Sequence, residues 1–139
     1  MSAAFIVDCS LAMTWLFEDE ATPRTAKLMR RLDVDAALVP SLFFLEVANV
    51  LAVTERKGRI AQAQADQFVT ELSKLQFEVD ADAPHLAIDR LLPLCRQHQL
   101  TSYDASYLEL AIRRKTPLAT IDEPLRKAAR KSGAKLVPL

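Results

Sequence analysis

The chain has 139 residues and carries 18 Lys and Arg against 18 Asp and Glu, so its formal net charge is zero. This length predicts a single domain, residues 1–139. Because the net charge is zero, the composition alone does not indicate a polyanionic partner. No apolar run approaches the ~20 residues of a membrane-spanning helix, and the N-terminus lacks the basic start of a signal peptide, so we expect no membrane partner. The two cysteines fit no disulfide framework, which favours the reducing cytoplasm.

Short strands and helices alternate along the chain. Residues 5–7 form an apolar run that predicts a strand buried on both faces, and Asp8 ends it. Further strands are predicted at 36–39, 77–79, 118–121 and 135–137. Helices are predicted at 11–17, 23–32, 42–57, 62–74, 84–98, 103–114 and 124–132. This order predicts an α/β fold in which a mainly parallel five-stranded sheet is flanked by helices, as a three-layer sandwich.

Four acidic residues stand where such a fold would bring them to one edge of the sheet. In a parallel α/β sheet, strand ends and helix starts share that edge. Asp8 and Asp122 end predicted strands, Glu46 lies about one turn into a helix that Ser41 is expected to cap, and Asp104 follows the expected cap Ser102. Four like charges on one edge would repel strongly, which a divalent cation would relieve. An all-oxygen ligand set suits Mg²⁺ or Mn²⁺.

Each acid also has a simpler interpretation when it is taken alone. Asp104 and Asp122 could be first-turn acids that interact with a helix dipole, and Glu46 could be an exposed helix acid. Cys9 is expected to be a buried apolar filler rather than a nucleophile. Four further acids are expected to lie outside the site or to face solvent: Asp80, Asp82, Glu109 and Glu123.

Basic residues are concentrated in the last part of the sequence. From residue 111 onward, eight Lys and Arg stand against two acids, which gives +6 there and −6 in the remainder. As candidates for contact with RNA phosphates we select Arg113, Arg114, Lys115, Arg126, Lys127, Arg130 and Lys131. These residues could instead be solvent-exposed side chains on helix faces, or basic residues that interact with the dipole at a helix end.

Four motifs occur in a defined order: Asp8-Cys-Ser10, Glu46-Val-Ala-Asn49, Tyr-Asp104-Ala and Leu-Ala-Thr120-Ile-Asp122. With them the chain resembles the PIN domain over nearly its whole length, and more narrowly the VapC toxins of toxin–antitoxin pairs. The resemblance implies a sheet ordered 3-2-1-4-5 and a metal-dependent ribonuclease. The four family acids match Asp8, Glu46, Asp104 and Asp122, which would hold one or two Mg²⁺ or Mn²⁺ ions.

The resemblance also implies supporting groups and partners. Ser10, Asn49 and Thr120 match polar positions that orient the ligands in family members. The substrate would be RNA, cut by a metal-activated water to leave a 5′-phosphate and a 3′-hydroxyl. A cognate VapB-like antitoxin would hold the enzyme inactive, seated against apolar stripes of the early helices. One such stripe contains Leu42, Leu45, Ala48 and Ala52. A homodimer within the toxin–antitoxin complex is expected.

Other functions remain open from the sequence. A haloacid-dehalogenase-like phosphatase also begins with a strand that ends in aspartate, but it needs a second aspartate where this chain has Ser10. A receiver domain would need paired acids after the first strand and a lysine after the last one. A catalytically silent PIN-fold module could bind RNA or a partner without cleavage. Finally, the acids could form a purely structural cluster closed by hydrogen bonds.

Overall fold

A computed structural model of the chain describes residues 3–81 and 84–139. The sheet consists of four short parallel strands in the order β3-β2-β1-β4. The strands are β1 (Phe5–Val7), β2 (Ala37–Val39), β3 (Phe77–Val79) and β4 (Leu118–Ala119). Every residue of β1, β2 and β4 is buried, as the unbroken apolar runs predict for strands covered on both faces.

The sequence predicts five strands, but the prediction of a fifth strand at 135–137 is wrong. Among the described residues, the segment at 135–137 forms only an isolated parallel bridge, between Leu136 and Leu118. Two backbone hydrogen bonds flank this bridge, from Leu118 N to Lys135 O and from Val137 N to Leu118 O, both 2.9 Å. The segment therefore lies beside β4, where the order 3-2-1-4-5 would place it, but its backbone pairing is too short for a strand.

Six of the seven helices follow the predicted segments to within one residue at each end, but the first, predicted at 11–17, is found at Cys9–Met13. The helices are α1 (Cys9–Met13), α2 (Pro23–Arg31), α3 (Leu42–Arg56), α4 (Gln62–Ser73), α5 (Pro84–His98), α6 (Ser102–Arg114) and α7 (Glu123–Ser132). A short 3₁₀ helix, Glu18–Glu20, follows α1. In the described part of the chain, none of these helices has the length and apolar character needed to cross a membrane.

Two predicted helix caps are wrong. Thr101, not Ser102, caps α6, because its hydroxyl oxygen accepts a hydrogen bond from Asp104 N at 3.1 Å. Ser41 precedes α3 with helical backbone angles and its side chain makes no capping hydrogen bond. A residue with helical angles is already part of the turn, so its hydroxyl does not reach the free amide groups that a cap would satisfy.

The core lies between the sheet and the helices that flank it. Seven consecutive residues of α6, 105–111, are buried, so this part of the helix is enclosed on all sides. The helix α3 buries Phe43, Val47 and Leu51, whereas Leu45, in the stripe predicted to bind the antitoxin, is 74% exposed. Because α3 is apolar on more than one side, its pattern alone does not identify which side faces the core.

Candidate active site

The first acid, Asp8, lies where β1 ends and α1 begins. Its carboxylate caps α1, since Oδ1 accepts a hydrogen bond from Leu11 N at 2.9 Å. The hydroxyl of Thr120 donates to Oδ2 at 2.6 Å, and Ser10 Oγ lies 2.8 and 2.9 Å from the two carboxylate oxygens. The buried carboxylate therefore has a hydrogen-bonding environment that fixes its orientation.

The same hydroxyl groups join the ends of β1 and β4. Thr120 Oγ1 accepts a hydrogen bond from Asp122 N at 3.0 Å while it donates to Asp8. Ser10 Oγ lies 3.2 Å from Thr120 Oγ1 and accepts from Ile121 N at 3.3 Å. Asp122 caps α7 through Leu125 N at 3.0 Å. Two predicted supporting residues, Ser10 and Thr120, thus lie between the first and fourth acids.

Burial raises the pKa of the Asp8 carboxyl from 3.8 to about 6. Its hydrogen bonds to Thr120, Leu11 and Ser10 oppose this shift, because they favour the ionised form, and the negative charge of Asp104 adds to it. The side chain is only 3% exposed, which explains why the loss of hydration outweighs three hydrogen bonds.

Glu46 is positioned by a tyrosine that the sequence analysis did not select. Tyr107 is 1% exposed, and its hydroxyl donates to Glu46 Oε1 at 2.5 Å, which links α6 to α3 across the site. Burial raises the pKa of Glu46, the hydrogen bond from Tyr107 opposes that shift, and Asp104 adds to it. The available signal was spacing, since Tyr107 stands three residues after Asp104 and therefore shares a helix face with it.

Asp104 connects the four acids electrostatically. Burial raises the pKa of its carboxyl, and the charge of Asp122 adds to that rise. In turn the charge of Asp104 contributes to the raised pKa values of Asp8 and Glu46. Three segments of the chain, at the ends of β1 and β4 and in α3, therefore bring their carboxylates within electrostatic range of Asp104 in α6.

A cleft adjoins these acids. A cavity of about 420 Å³ is lined by Glu46 and Asn49 together with Cys9, Leu42, Leu45, Val50 and Tyr103. Asn49 is exposed in this cleft and makes no hydrogen bond to the four acids in the described structure. Burial, with the charges of Glu46 and Asp8, raises the pKa of the Cys9 thiol to about 12, so this buried cysteine is not an activated nucleophile.

The four acids fit a divalent cation in their chemistry. Three of them have raised pKa values because of burial and neighbouring negative charge, and a bound cation would offset both effects. Carboxylate oxygens are the ligands that Mg²⁺ and Mn²⁺ prefer. In the described residues, no three His, Cys, Asp or Glu side chains are already gathered as a metal-binding group. Cation binding would therefore require the carboxylates to approach one another.

The predicted RNA contacts fall into two groups. Four arginines already bind protein groups: Arg113 contacts Asp80 and Glu109, Arg114 contacts Glu78 and Asp80, Arg126 donates to Thr120 O, and Arg130 contacts Glu123. The three lysines have no ion pair among the described residues. Of these, Lys115 ends α6 in a left-handed conformation with φ 48°, and the other two, Lys127 and Lys131, line a groove beside α7.

One further expectation is wrong and another lies outside the described residues. Glu109 does not face solvent: it is buried and accepts hydrogen bonds from Arg113 at 2.6 Å and Arg90 at 2.8 Å. Glu109 lies on the side of α6 that packs against α5. Because glutamate is usually exposed, the residue type alone does not predict this burial. Asp80 makes ion pairs with Arg113, and Asp82 falls outside the part of the chain that the structure describes.

Comparisons with known proteins agree with the fold. A family model described as PIN domain matches residues 5–131, and PIN domains are usually nucleases. A crystal structure of PAE2754 from Pyrobaculum aerophilum is similar to this chain, with 26% sequence identity and a TM-score of 0.69. The match covers 92% of this chain and 87% of the PAE2754 chain. Curated protein sequences give no match. Because the family model spans most of the sequence, this chain belongs to the PIN-domain family, and the nuclease-type activity usual in that family supports a hydrolase.

Proposed function

We propose that this PIN-domain protein is a Mg²⁺- or Mn²⁺-dependent endoribonuclease of the VapC toxin type. The observation that carries the proposal is the electrostatic coupling of Asp8, Glu46 and Asp122 through Asp104. Structural acid clusters are normally neutralised by basic side chains, whereas none of these four carboxylates makes an ion pair with Lys or Arg in the described residues. The comparisons give no support to a phosphatase or to a catalytically silent module.

In the proposed reaction the protein positions groups around a phosphodiester. Asp8, Asp104, Asp122 and Glu46 would hold one or two divalent cations. When bound, the cation would lower the pKa of a coordinated water and offset charge on the phosphate. Thr120 and Ser10 keep the Asp8 carboxylate oriented through their hydroxyl groups. Tyr107 occupies one oxygen of Glu46, so the other oxygen is available to orient the attacking water.

Cleavage of total cellular RNA by the purified protein tests this proposal. We expect discrete products with Mg²⁺ or Mn²⁺, none with EDTA, and at least a hundredfold less cleavage by Asp8→Asn and by Asp104→Asn. Asp66→Asn, at an exposed carboxylate on α4, serves as the matched control and should cleave like the wild type. Cleavage that persists in EDTA, or an active Asp8→Asn variant that has lost no rate, would refute the metal-dependent mechanism.

The proposal extends to an antitoxin, a homodimer and a cytoplasmic location. Support comes from the VapC-like motifs, from the free thiols of Cys9 and Cys95, and from an apolar groove of about 470 Å³ between α3 and α4. Phe44, Ala48, Leu72 and Phe77 are among the residues that line this groove, and Phe44 is 45% exposed. An amphipathic antitoxin helix could bury its apolar face there.

Growth of a bacterial host that expresses the chain tests the toxin assignment. The wild type should arrest growth and Asp8→Asn should not, because only the wild type would degrade cellular RNA. Equal growth with both proteins, at equal soluble expression, would contradict a toxin role while leaving the nuclease proposal to be judged by the cleavage assay.

A further inference from the structure

A polar groove separates the end of α5 from α7. Its cavity has a volume of about 750 Å³. Gln97, His98 and Gln99 form the α5 side, and Lys127 and Lys131 form the α7 side. The groove is distinct from the apolar groove between α3 and α4, because amide and ammonium groups supply much of its lining.

The two sides of this groove are fastened to each other. His98 Nε2 lies 3.1 Å from Ser132 Oγ, so the last turn of α5 is hydrogen-bonded to the last turn of α7. Ala128, which is 2% exposed, packs at the base of the lysine side. A groove whose walls are joined in this way is formed before a ligand arrives, which reduces the ordering cost of binding.

The groove adjoins the four-acid site. Asp122 caps α7, and the next two residues, Glu123 and Pro124, line the groove. Thr101, the cap that precedes Asp104, follows α5 by only a short connection through Gln99 and Leu100. The groove therefore lies between the segments that carry the third and fourth acids.

The charges in the groove favour a polyanion. Lys127 and Lys131 are one helical turn apart on the same side of α7, both are exposed, and neither makes an ion pair among the described residues. The neighbouring arginines differ, since Arg126 binds Thr120 O and Arg130 binds Glu123 at 2.7 Å. The pairing of Arg130 also offsets Glu123, the one acid among the described residues that line the groove.

We infer that this groove seats a single-stranded segment of the RNA substrate, with successive phosphates on Lys127 and Lys131. This inference rests on the proposed ribonuclease function, because it concerns the path of the strand to the same site. Exposed Gln97 and Gln99 face that path with amide groups that can donate to and accept from base edges and ribose hydroxyls. An acidic peptide would also meet the lysines, but it has no phosphodiester to present to the four acids.

Binding of a fluorescent 12-nucleotide single-stranded RNA tests the groove separately from catalysis. The double variant Lys127→Ala/Lys131→Ala is made in the Asp8→Asn background and titrated in Mg²⁺ at several salt concentrations. We expect at least tenfold weaker binding and a salt slope that is less steep by about 1.4, because each lost phosphate contact removes ~0.7 from the slope for single strands. Lys27→Ala/Lys57→Ala, at two exposed lysines away from the groove, is the control and should bind like its parent.

The two proposals fail in different ways. If the wild type cleaves RNA and the groove variant binds it with unchanged affinity and salt slope, the groove inference is wrong and the nuclease stands. If the wild type cleaves nothing but loss of Lys127 and Lys131 weakens binding as expected, the nuclease proposal is wrong and the groove is an RNA-binding surface rather than a substrate path. In the catalytically intact protein, the double variant should raise KM for RNA and leave kcat within about threefold of the wild type. Equal weakening by the control pair would also overturn the inference, since it would show a general charge effect.

Discussion

Asp8 combines a helix cap with a buried charge. Its carboxylate accepts from Leu11 N as the cap of α1, and the hydroxyls of Thr120 and Ser10 hold it from the side of β4. These hydrogen bonds reduce the free-energy cost of burying the negative charge, but they do not cancel it. The effect of burial is larger than theirs, so the pKa of Asp8 is raised to about 6. A residue that is tolerated at such a cost is typical of a functional site.

The pH dependence of stability should reveal this cost. A carboxyl with a raised pKa in the folded state binds more protons folded than unfolded between pH 3.8 and about 6, so its contribution to stability falls as the pH rises through that window. In EDTA at pH 7.5, Asp8→Asn should therefore be more stable than the wild type, by up to about 3 kcal/mol. Asparagine also caps helices well, so the cap is retained.

Urea denaturation of both proteins across this pH range measures the difference. The advantage of Asp8→Asn should shrink as the pH falls from 7.5 toward 4. Asp66→Asn, at an exposed carboxylate, should stay within about 0.5 kcal/mol of the wild type throughout. A stability difference for Asp8→Asn that does not change with pH would show that ionisation of the buried carboxyl is not its cause.

Tyr107 provides a second test at this scale. Tyr107→Phe removes the hydroxyl that donates to Glu46 while keeping the buried ring, so the core should remain packed. Loss of a group that orients a ligand typically costs 10–100-fold in metal affinity or activity, and we expect cleavage to fall within that range. Calorimetric titration with Mn²⁺ should show the corresponding loss of affinity.

A double-mutant cycle shows whether Tyr107 acts through Glu46. In the Glu46→Gln background, adding Tyr107→Phe should change cleavage and Mn²⁺ affinity by less than about threefold. If the two substitutions have independent, multiplicative effects, the tyrosine does not act by positioning this carboxylate.

At the scale of elements, α6 connects the site to an ion-pair network. Its first turn carries Asp104, whereas Glu109 and Arg113, further along, form the network. Arg113 contacts Asp80 through both terminal nitrogens, at 3.2 and 2.7 Å, and these hydrogen bonds raise the pKa of its guanidinium. Arg113 is predicted from the sequence to contact RNA, but its contacts show that it binds α6 to Asp80, the residue that follows β3.

Arg113→Met should therefore reduce stability. The substitution keeps the aliphatic volume and removes the cation that Asp80 and Glu109 share, so two largely buried carboxylates lose a partner. We expect a loss of about 2 kcal/mol, which is less than the cost for a fully buried pair because Arg113 is 25% exposed. Lys115→Met, at an exposed residue without an ion pair, is the control and should stay within about 0.5 kcal/mol of the wild type.

Denaturation midpoints in urea measure both variants. An Arg113→Met protein as stable as the wild type, but with weakened RNA binding, would reverse the assignment and return this residue to the nucleic-acid interface.

At the scale of the whole molecule, the fold concentrates negative charge that it does not neutralise. Asp8, Glu46, Asp104 and Asp122 come from four separate segments, and the chain between them supplies the sheet order that brings these segments to one edge. The arginines near the end of the sequence that pair with acids, Arg113, Arg114 and Arg130, pair with acids outside this set. In the metal-free protein the repulsion among these four carboxylates therefore acts between segments that lie far apart in the sequence.

A divalent cation should consequently stabilise the whole chain against unfolding. At a hundredfold excess over its Kd, Mg²⁺ or Mn²⁺ should add about 2.7 kcal/mol, because it binds the folded protein and not the unfolded one. Thermal denaturation in EDTA, in the divalent salt, and in NaCl of equal ionic strength measures this effect. The Tm should rise only with the divalent salt, and Asp104→Asn should lose most of the rise. An equal rise in NaCl would indicate general screening and no cation site.

The sequence by itself determined the features that depend on local pattern. Unbroken apolar runs predicted β1 and β2 closely, and the acids that follow β1 and β4 predicted that Asp8 and Asp122 would lie at one edge of the sheet. This succeeded because parallel strands bring their carboxyl ends to the same edge. The PIN-domain resemblance, confirmed by the family match, came from the four motifs that contain Asp8, Glu46, Asp104 and Asp122.

Only the tertiary structure decided the features that depend on which distant side chains meet. The hydrogen bond between Tyr107 and Glu46 requires α6 to pack near α3, and the burial of Glu109 requires Arg90 and Arg113 on both sides of it. The segment around Leu136 has a strand-like composition, but it makes only one bridge to β4. Periodicity reports which faces of an element are apolar, whereas the partner of each face is set by packing between segments far apart in the chain.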